Sequence, residues 1–510
     1  MLAKRLHYSP SESKGATVEV TGGSDFNHRF IADDRSNYVL GHDGIPEIVR
    51  DMEMKKPVPS NSMSPVDAAF LYLERKEIPL HIASVCVFDG PIPFQEFVAS
   101  INAKLHLVPR YTQIPVIPAW SLGFPTWEED PRFDIRRHIF QVRLEAPGGE
   151  AELQALAGRI FSEVMDRSKP LWDMHLVDGL KDGRGAIILR VHHALADGIA
   201  GMELMKVMFD STPGVDYSTS LPRPRPRRRK ATQHSLAEEV LNTLNSTLGG
   251  LFAFEAGLLG FAETLLRGKS QSDVKGLLNV LPEFAASVER LPFNKPCTGE
   301  RKFCWTEFSI NDVQAVREAA GGTVNDVILA VIAGALRVLL ASRGEELGLV
   351  TASVPVSVRR VATGGQLGNQ VGVMPLALPA GSDLAARVAR IAAITRQRKT
   401  AARGTSAALL GPVFRLLAPT GVLRWFFNRQ RLIHTVATNL HGPAQPLTFA
   451  GAPVRAVIPV PNTTGNVTIS FGALSYAGTL QITVLSDPSR APDVSVLTGA
   501  LRRELGSAAR

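Results

Sequence analysis

Three cysteines in 510 residues, Cys86, Cys297 and Cys304, are too few and too scattered for a disulfide framework or a Cys-x-x-Cys zinc site. That usage predicts a reducing, cytoplasmic setting. No stretch of eighteen uninterrupted apolar residues occurs, and the opening Met-Leu-Ala-Lys-Arg-Leu-His develops no apolar signal core, so neither a membrane-spanning helix nor a secretory leader is expected. The chain also lacks a Gly-x-Ser-x-Gly elbow, which removes the usual serine hydrolase. It has no His-Glu-x-x-His helix either, so no metal site is expected. The positive excess is not a basic face interleaved with aromatics. Of the net charge of +8, six cations (Arg223, Arg225, Arg227, Arg228, Arg229 and Lys230) fall within eight acid-free, proline-interrupted residues, and the rest of the chain is close to neutral. This distribution argues against nucleic acid and leaves two readings for the cluster, a solvated linker or a contact to anionic lipid head groups.

What is present is a globular, enzyme-sized chain, 45% hydrophobic, long enough for two domains. Its most informative stretch is Arg190-Val191-His192-His193-Ala194-Leu195-Ala196-Asp197-Gly198. The apolar run from Ala186 predicts a strand ending at the paired histidines, and the composition from Gly198 to Phe209 predicts a helix after them. An imidazole at a strand end can take a proton from an alcohol near neutral pH. Asp197 can turn the chain back and fix the local geometry, and Gly198 permits a backbone path that a Cβ would obstruct. The plainer reading is a pair of histidines that ligates a metal or caps a loop.

Residues 1–61 are polar and aperiodic, and predict a poorly ordered extension. From 62 to 215, strands such as His81–Phe88 alternate with helices such as Gly149–Met165, whose Leu153, Leu156, Ile160, Phe161 and Val164 share a face. Pro213-Gly214 and the Pro/Arg run open a linker over 216–300, helical from Ser235 to Arg290. A second α/β domain is expected over 301–510. Its landmarks are an apolar helix at Val327–Leu340, strands at Ser353–Val358 and Val371–Leu378, a helix at Ser382–Arg398, two strands flanking Asn439, and a last helix at Pro492–Leu505. Between Pro412 and Arg431, apolar and aromatic residues mix with Arg415, Arg424, Arg429 and Arg431, with breaks at Pro419 and Gly421. That segment suits two short helices lying on a lipid surface, or packed on the protein's own core.

In this order the landmarks resemble the bacterial wax ester synthase/diacylglycerol acyltransferase family, within the CoA-dependent acyltransferases that share His-His-x-x-x-Asp-Gly. Ser64-Pro65-Val66-Asp67-Ala68-Ala69-Phe70-Leu71 is similar to the family's opening, followed by His106-Leu107-Val108-Pro109-Arg110, Trp127 to Asp134 and Pro170-Leu171-Trp172. Downstream come Asn325-Asp326, Pro355 to Arg359, Asn439-Leu440-His441-Gly442-Pro443 and Ser475-Tyr476-Ala477-Gly478. About residues 62 to 505 are covered. The family more often has Val-Pro where Leu440-His441 stands, and Asn where Ala477 stands.

The resemblance implies an α/β fold of two chloramphenicol-acetyltransferase-like domains facing a central cleft, joined by a partly helical linker. It implies direct transfer of a fatty acyl group from acyl-CoA to diacylglycerol or a long-chain alcohol, with His193 as general base and His192 structural. Acyl-CoA would be a substrate, and no cofactor is implied. Asp197 would hold the loop through an arginine, Arg110 first and Arg359 second. Pro170, Leu171 and Trp172 would line an acyl-chain entrance or pack a loop. Asn325, Asp326 and Asn439 would support the cleft or serve as cap and turn. The protein would sit in the cytoplasm, peripheral on a membrane or lipid inclusion. The alternatives are an acyltransferase or condensation-type enzyme of the same superfamily with another acceptor, and a non-catalytic protein of lipid-inclusion surfaces.

Overall fold

The computed structural model describes two short strands at 16–19 and 29–32, then residues 61, 63–117, 125–196, 201–202, 205, 208–209, 287–357, 371–401 and 421–506. The chain divides into a unit over Met1–Ser60 and a unit over Asn61–Arg510. In the first, β1 (Ala16–Glu19) pairs antiparallel with β2 (Arg29–Ala32), where the aperiodic sequence predicts no element.

The second unit holds two six-stranded mixed sheets. The first is built from β3 (His81–Phe88), β6 (Ile139–Arg143), β7 (Trp172–Asp178), β8 (Gly185–His192), β13 (Thr448–Phe449) and β14 (Ala452–Val460), in the order β13-β14-β3-β8-β7-β6. A small ribbon of β4 (Gln113–Val116) and β5 (Thr126–Glu129) stands apart from it. The second sheet comprises β9 (Lys302–Ser309), β10 (Leu349–Ser357), β11 (Val371–Pro379), β12 (Thr435–His441), β15 (Ile469–Tyr476) and β16 (Thr479–Ser486), in the order β11-β10-β12-β15-β16-β9. The expected α/β class with two sheet domains is what the chain forms.

The domain limit at 301–510 needs correction, because β13 and β14 complete the first sheet. Val457 lies opposite Cys86, Ile458 opposite Val85 and Val460 opposite Ala83. The physical reason is burial on both faces. Ala456, Ile458 and Val460 join one apolar cluster, and Val454 and Val457 join another. A strand of that kind cannot sit at an open edge, and its pairing also covers the edge that β3 would otherwise expose.

Helices cover the sheets: α1 (Pro65–Leu73), α2 (Phe94–Lys104), α3 (Glu150–Phe161), α4 (Ile310–Ala320), α5 (Val324–Ala341), α6 (Leu384–Ala401), α7 (Val422–Arg429) and α8 (Val494–Gly506). By length and composition α5 could cross a membrane, yet its apolar residues are packed in the core of the second sheet. It is a core helix. The expected helix at Gly149–Met165 is shorter: Gly149 is its N-cap, the helix ends at Phe161, and Val164 beyond that end is exposed rather than on the buried face. The expected strands flanking Asn439 are one strand, with Asn439 inside β12 opposite Ala473.

Candidate active site

The site is set by the end of β8. His192 closes the strand, donating its N–H to the Leu171 carbonyl at 2.9 Å, and His193 donates to the Leu80 carbonyl at 2.9 Å. Leu195 N–H then returns to the His192 carbonyl at 2.9 Å, so the chain turns at once. The two imidazoles have different fates. The His192 ring is fully buried, and its Nδ1 accepts from Ala194 N–H at 3.0 Å. The His193 ring is half-buried and lies flat on Phe70, with centroids 4.1 Å apart and planes 9° from parallel.

Both rings are met by one helix. α1 opens on Ser64, whose hydroxyl accepts from Asp67 N–H at 3.1 Å, with Pro65 in the first turn, where no N–H is needed. Phe70 lies in the helix and Glu74, four residues on, caps its C-terminus, donating its N–H to the Phe70 carbonyl, so both stand on the same side. Phe70 takes His193, and Glu74 takes His192: Glu74 Oε1 stands 3.3 Å from His192 Nε2, close for charge but off line for a well-formed hydrogen bond. Burial pushes the Glu74 carboxyl up, but His192, the Leu80 amide and Arg167 together outweigh it and hold it at about 2. Sequence reasoning missed Glu74. The signal available was an acid at the end of a short apolar helix, one turn beyond Phe70.

Below the histidines lies a buried polar layer. His81 pairs with His192 across the strands, and burial, then Arg190, press its imidazole down to about 3. The Arg190 guanidinium closes as a fork on Asp173, at 2.9 and 2.6 Å, and also reaches the carbonyls of Ile160 and Glu163. Burial raises the Asp173 carboxyl, but hydrogen bonds from His175 and Arg190 and their charges leave it well below the usual range.

The remaining expected residues fall into three groups. Pro170, Leu171 and Trp172 are buried. Trp172 stacks between Tyr111 and His138, with centroids at 4.7 and 4.5 Å, and gives its indole N–H to the Tyr111 carbonyl at 2.8 Å. Of the two readings for this tripeptide, these contacts show the packing one. Arg110 lies over the Trp127 ring at 5.2 Å and donates to Gln113 at 3.1 Å. Its expected partner Asp197, along with Gly198 and Arg359, lies outside the described residues, as do most of the 216–300 linker and its Arg cluster.

The third group is in the second sheet. Asn439 donates to Asn325 at 3.4 Å, so these two are brought together. Thr323, not Asn325, caps α5. Asp326 completes a capping box, accepting from Thr323 N–H at 2.8 Å, and also accepts from Thr395 Oγ1 at 2.8 Å, which makes it a buried structural acid. The turn after Asn439 approaches the His motif: a Cβ on Gly442 would stand 2.6 Å from the Ser475 carbonyl and 3.7 Å from Met202 Cε. Met202, four residues beyond Gly198, is itself helical. Among the described residues no group of three His, Cys, Asp or Glu is placed to hold a metal.

Two mixed sheets, the first completed by strands from the second half of the chain, with a split histidine pair at a strand end, define an acyltransferase-type fold of the chloramphenicol acetyltransferase kind. Solved structures agree on that fold. The wax ester synthase/diacylglycerol acyltransferase from Marinobacter aquaeolei superposes with a TM-score of 0.62 at 23% identity, covering 88% of this chain and 98% of that one. The first condensation domain of the calcium-dependent antibiotic synthetase superposes with 0.58 at 15% identity, covering 89% and 97%. The family follows from the sequence as a whole. Residues 63–328 match the wax ester synthase/diacylglycerol acyltransferase catalytic domain and 367–507 its C-terminal domain, so the chain belongs to that family and is an acyltransferase. It is 29% identical to the probable diacylglycerol O-acyltransferase tgs1 of Mycobacterium tuberculosis over 444 residues, 84% of this chain and 91% of that one. With tgs2 of the same organism it shares 29% over 458 residues, 87% and 97%.

Proposed function

We propose that this acyltransferase moves a fatty acyl group from acyl-CoA to the hydroxyl of diacylglycerol, with a long-chain alcohol as second acceptor, and that His193 is the general base. The observation that carries the reading is the division of labour between the paired histidines. One ring is buried and tied to backbone and carboxylate; the other is held half-exposed at the strand end. In the reaction the acceptor oxygen attacks the thioester carbonyl as His193 takes its proton, and the tetrahedral intermediate then expels CoA thiolate, which takes up that proton from His193 and leaves as the free thiol. One acyl–oxygen bond forms and one acyl–sulfur bond breaks. No acyl-enzyme is required.

We also propose that α7 seats the enzyme on a lipid surface. Val422, Trp425 and Phe426 are 46%, 59% and 40% exposed, Arg429 lies over the Trp425 ring at 5.4 Å, and Arg424 and Arg431 flank them. Aromatic and cationic side chains mixed on one exposed helix suit a head-group interface. Its buried Leu423 packs with Ala69, Leu73 and Leu80, so the exposed helix is anchored on α1, which carries Phe70 and is capped by Glu74. An acceptor that partitions into lipid would then arrive beside the histidines. The test is an acceptor panel with purified protein and one labelled long-chain acyl-CoA, read by product identity and free thiol. Thiol release that diacylglycerol and long-chain alcohol fail to stimulate would overturn the reading.

A further inference from the structure

A single carboxylate reaches both halves of the His motif. Glu74 Oε1 accepts the Leu80 N–H at 3.1 Å, and the carbonyl of that same Leu80 holds the His193 N–H at 2.9 Å. The same oxygen faces His192 Nε2 at 3.3 Å, and His192 Nδ1 accepts the N–H of Ala194, the residue after His193. The backbone on either side of His193 is therefore tied, in one step each, to one carboxylate. Glu74 is itself fixed from outside by Arg167, which donates to its second oxygen at 3.2 Å and to the Leu71 carbonyl at 2.6 Å. The Glu74 side chain has no exposure, so nothing in solvent can replace it.

We infer that Glu74 is a positioning residue for the acyl transfer: it fixes the tautomer of His192 and, through Leu80 and Ala194, the place of the His193 base. This rests on His193 being the base. With Nδ1 accepting from Ala194, the His192 ring carries its hydrogen on Nε2, which faces Glu74. A carboxylate offers acceptors to all three donors, whereas an amide at this position has only one oxygen and would turn its NH2 on either Arg167 or His192. The familiar carboxylate–imidazole pair is thus present, but on the neighbour of the base. It secures the turn rather than the proton transfer.

Glu74→Gln, His193→Ala and the double variant, each in the full chain, test this with free-thiol release from a long-chain acyl-CoA and diacylglycerol. His193→Ala is expected to lose at least about 100-fold in kcat. Glu74→Gln is expected to lose roughly 10- to 100-fold in kcat, with KM for both substrates unchanged and a melting temperature within about 5 °C of wild type. In the His193→Ala background it should remove no further residual rate, because misplacing a base matters only while the base is there. Wild-type kcat in folded Glu74→Gln beside an inactive His193→Ala overturns the role of Glu74 alone, and so does an equal loss in both backgrounds. Normal turnover by His193→Ala overturns the base assignment instead. The wild type gives a second measurement that does not need the variant to fold: histidine 15N spectra, with His192 assigned by its loss in His192→Asn. The Nε2–H tautomer is expected, and an Nδ1–H ring would overturn the inference.

Discussion

His81 and Glu74 make the molecule sensitive to acid, in two separate windows. His81 is held neutral, with its folded value about 3 against an ordinary 6.5, under burial and the charge of Arg190, opposed by Glu74 and Asp173. Glu74 is held ionised, about 2 against 4.5. In both cases the folded protein binds fewer protons than the unfolded chain, so lowering the pH favours unfolding. The contribution of His81 is complete above about 6.5 and declines as pH falls toward 3; that of Glu74 is complete above about 4.5 and declines toward 2. The melting temperature should therefore begin to fall below pH 6.5 and fall more steeply below 4.5. His81→Leu should flatten the first decline and leave the second, as calorimetry across pH would show. A variant whose curve overlays wild type between 6.5 and 4.5 would remove His81 from this account. At the same scale the motif at 190–198 was legible in sequence because strand, turn and helix signals fall together there. Glu74 was not: it lies 118 positions before His192, and only the antiparallel pairing of β3 with β8 brings them into contact.

Between β15 and β16 the chain turns through Ala477 and Gly478, at φ 45° and 83°, with Tyr476 paired to Thr479. Two successive left-handed residues make a hairpin turn that favours Asn-Gly, and an alanine there carries strain of about 1 kcal/mol. Ala477→Gly is accordingly expected to stabilise the protein by about that amount in denaturant melts, without changing kcat. The exposed helix α7 makes the opposite kind of element-level expectation. Replacing Trp425 and Phe426 with alanine should leave the melting temperature almost unchanged, since neither supports the core. Sedimentation with phospholipid vesicles should weaken by roughly 30-fold, from the apolar surface no longer buried. Equal sedimentation would leave the helix as mere surface. Elements with a strict period or firm boundaries, such as His81–Phe88 between Pro79 and Asp89-Gly90, were readable in advance. Asn439 was not placed correctly, because Gly442-Pro443 advertises a turn while the strand before it is only partly apolar.

Over the whole molecule, the two sheets and their order along the chain follow from the alternation of strand and helix patterns. The crossover of β14 does not, since a strand buried on both faces looks the same in either sheet. Its placement means that neither half is a closed body. A chain ending before residue 448 should leave β3 with a bare edge and aggregate, whereas full-length protein should melt in one transition. Two resolved transitions in calorimetry would contradict this.

That crossover also sets a clock for synthesis. The first sheet has its strands through His192 when more than half the chain is still unmade, yet its last strand ends at Val460. At a translation speed of about 5–20 residues per second, the 268 residues from His192 to Val460 occupy the ribosome for roughly 13–54 s. For all that time the newborn sheet carries β3 paired to β8 on one edge and bare on the other, with apolar side chains on both faces, and the histidine turn at its far end is anchored to an unfinished floor. The nascent chain should therefore recruit a holding chaperone after β3 emerges and release it only once β14 has left the exit tunnel.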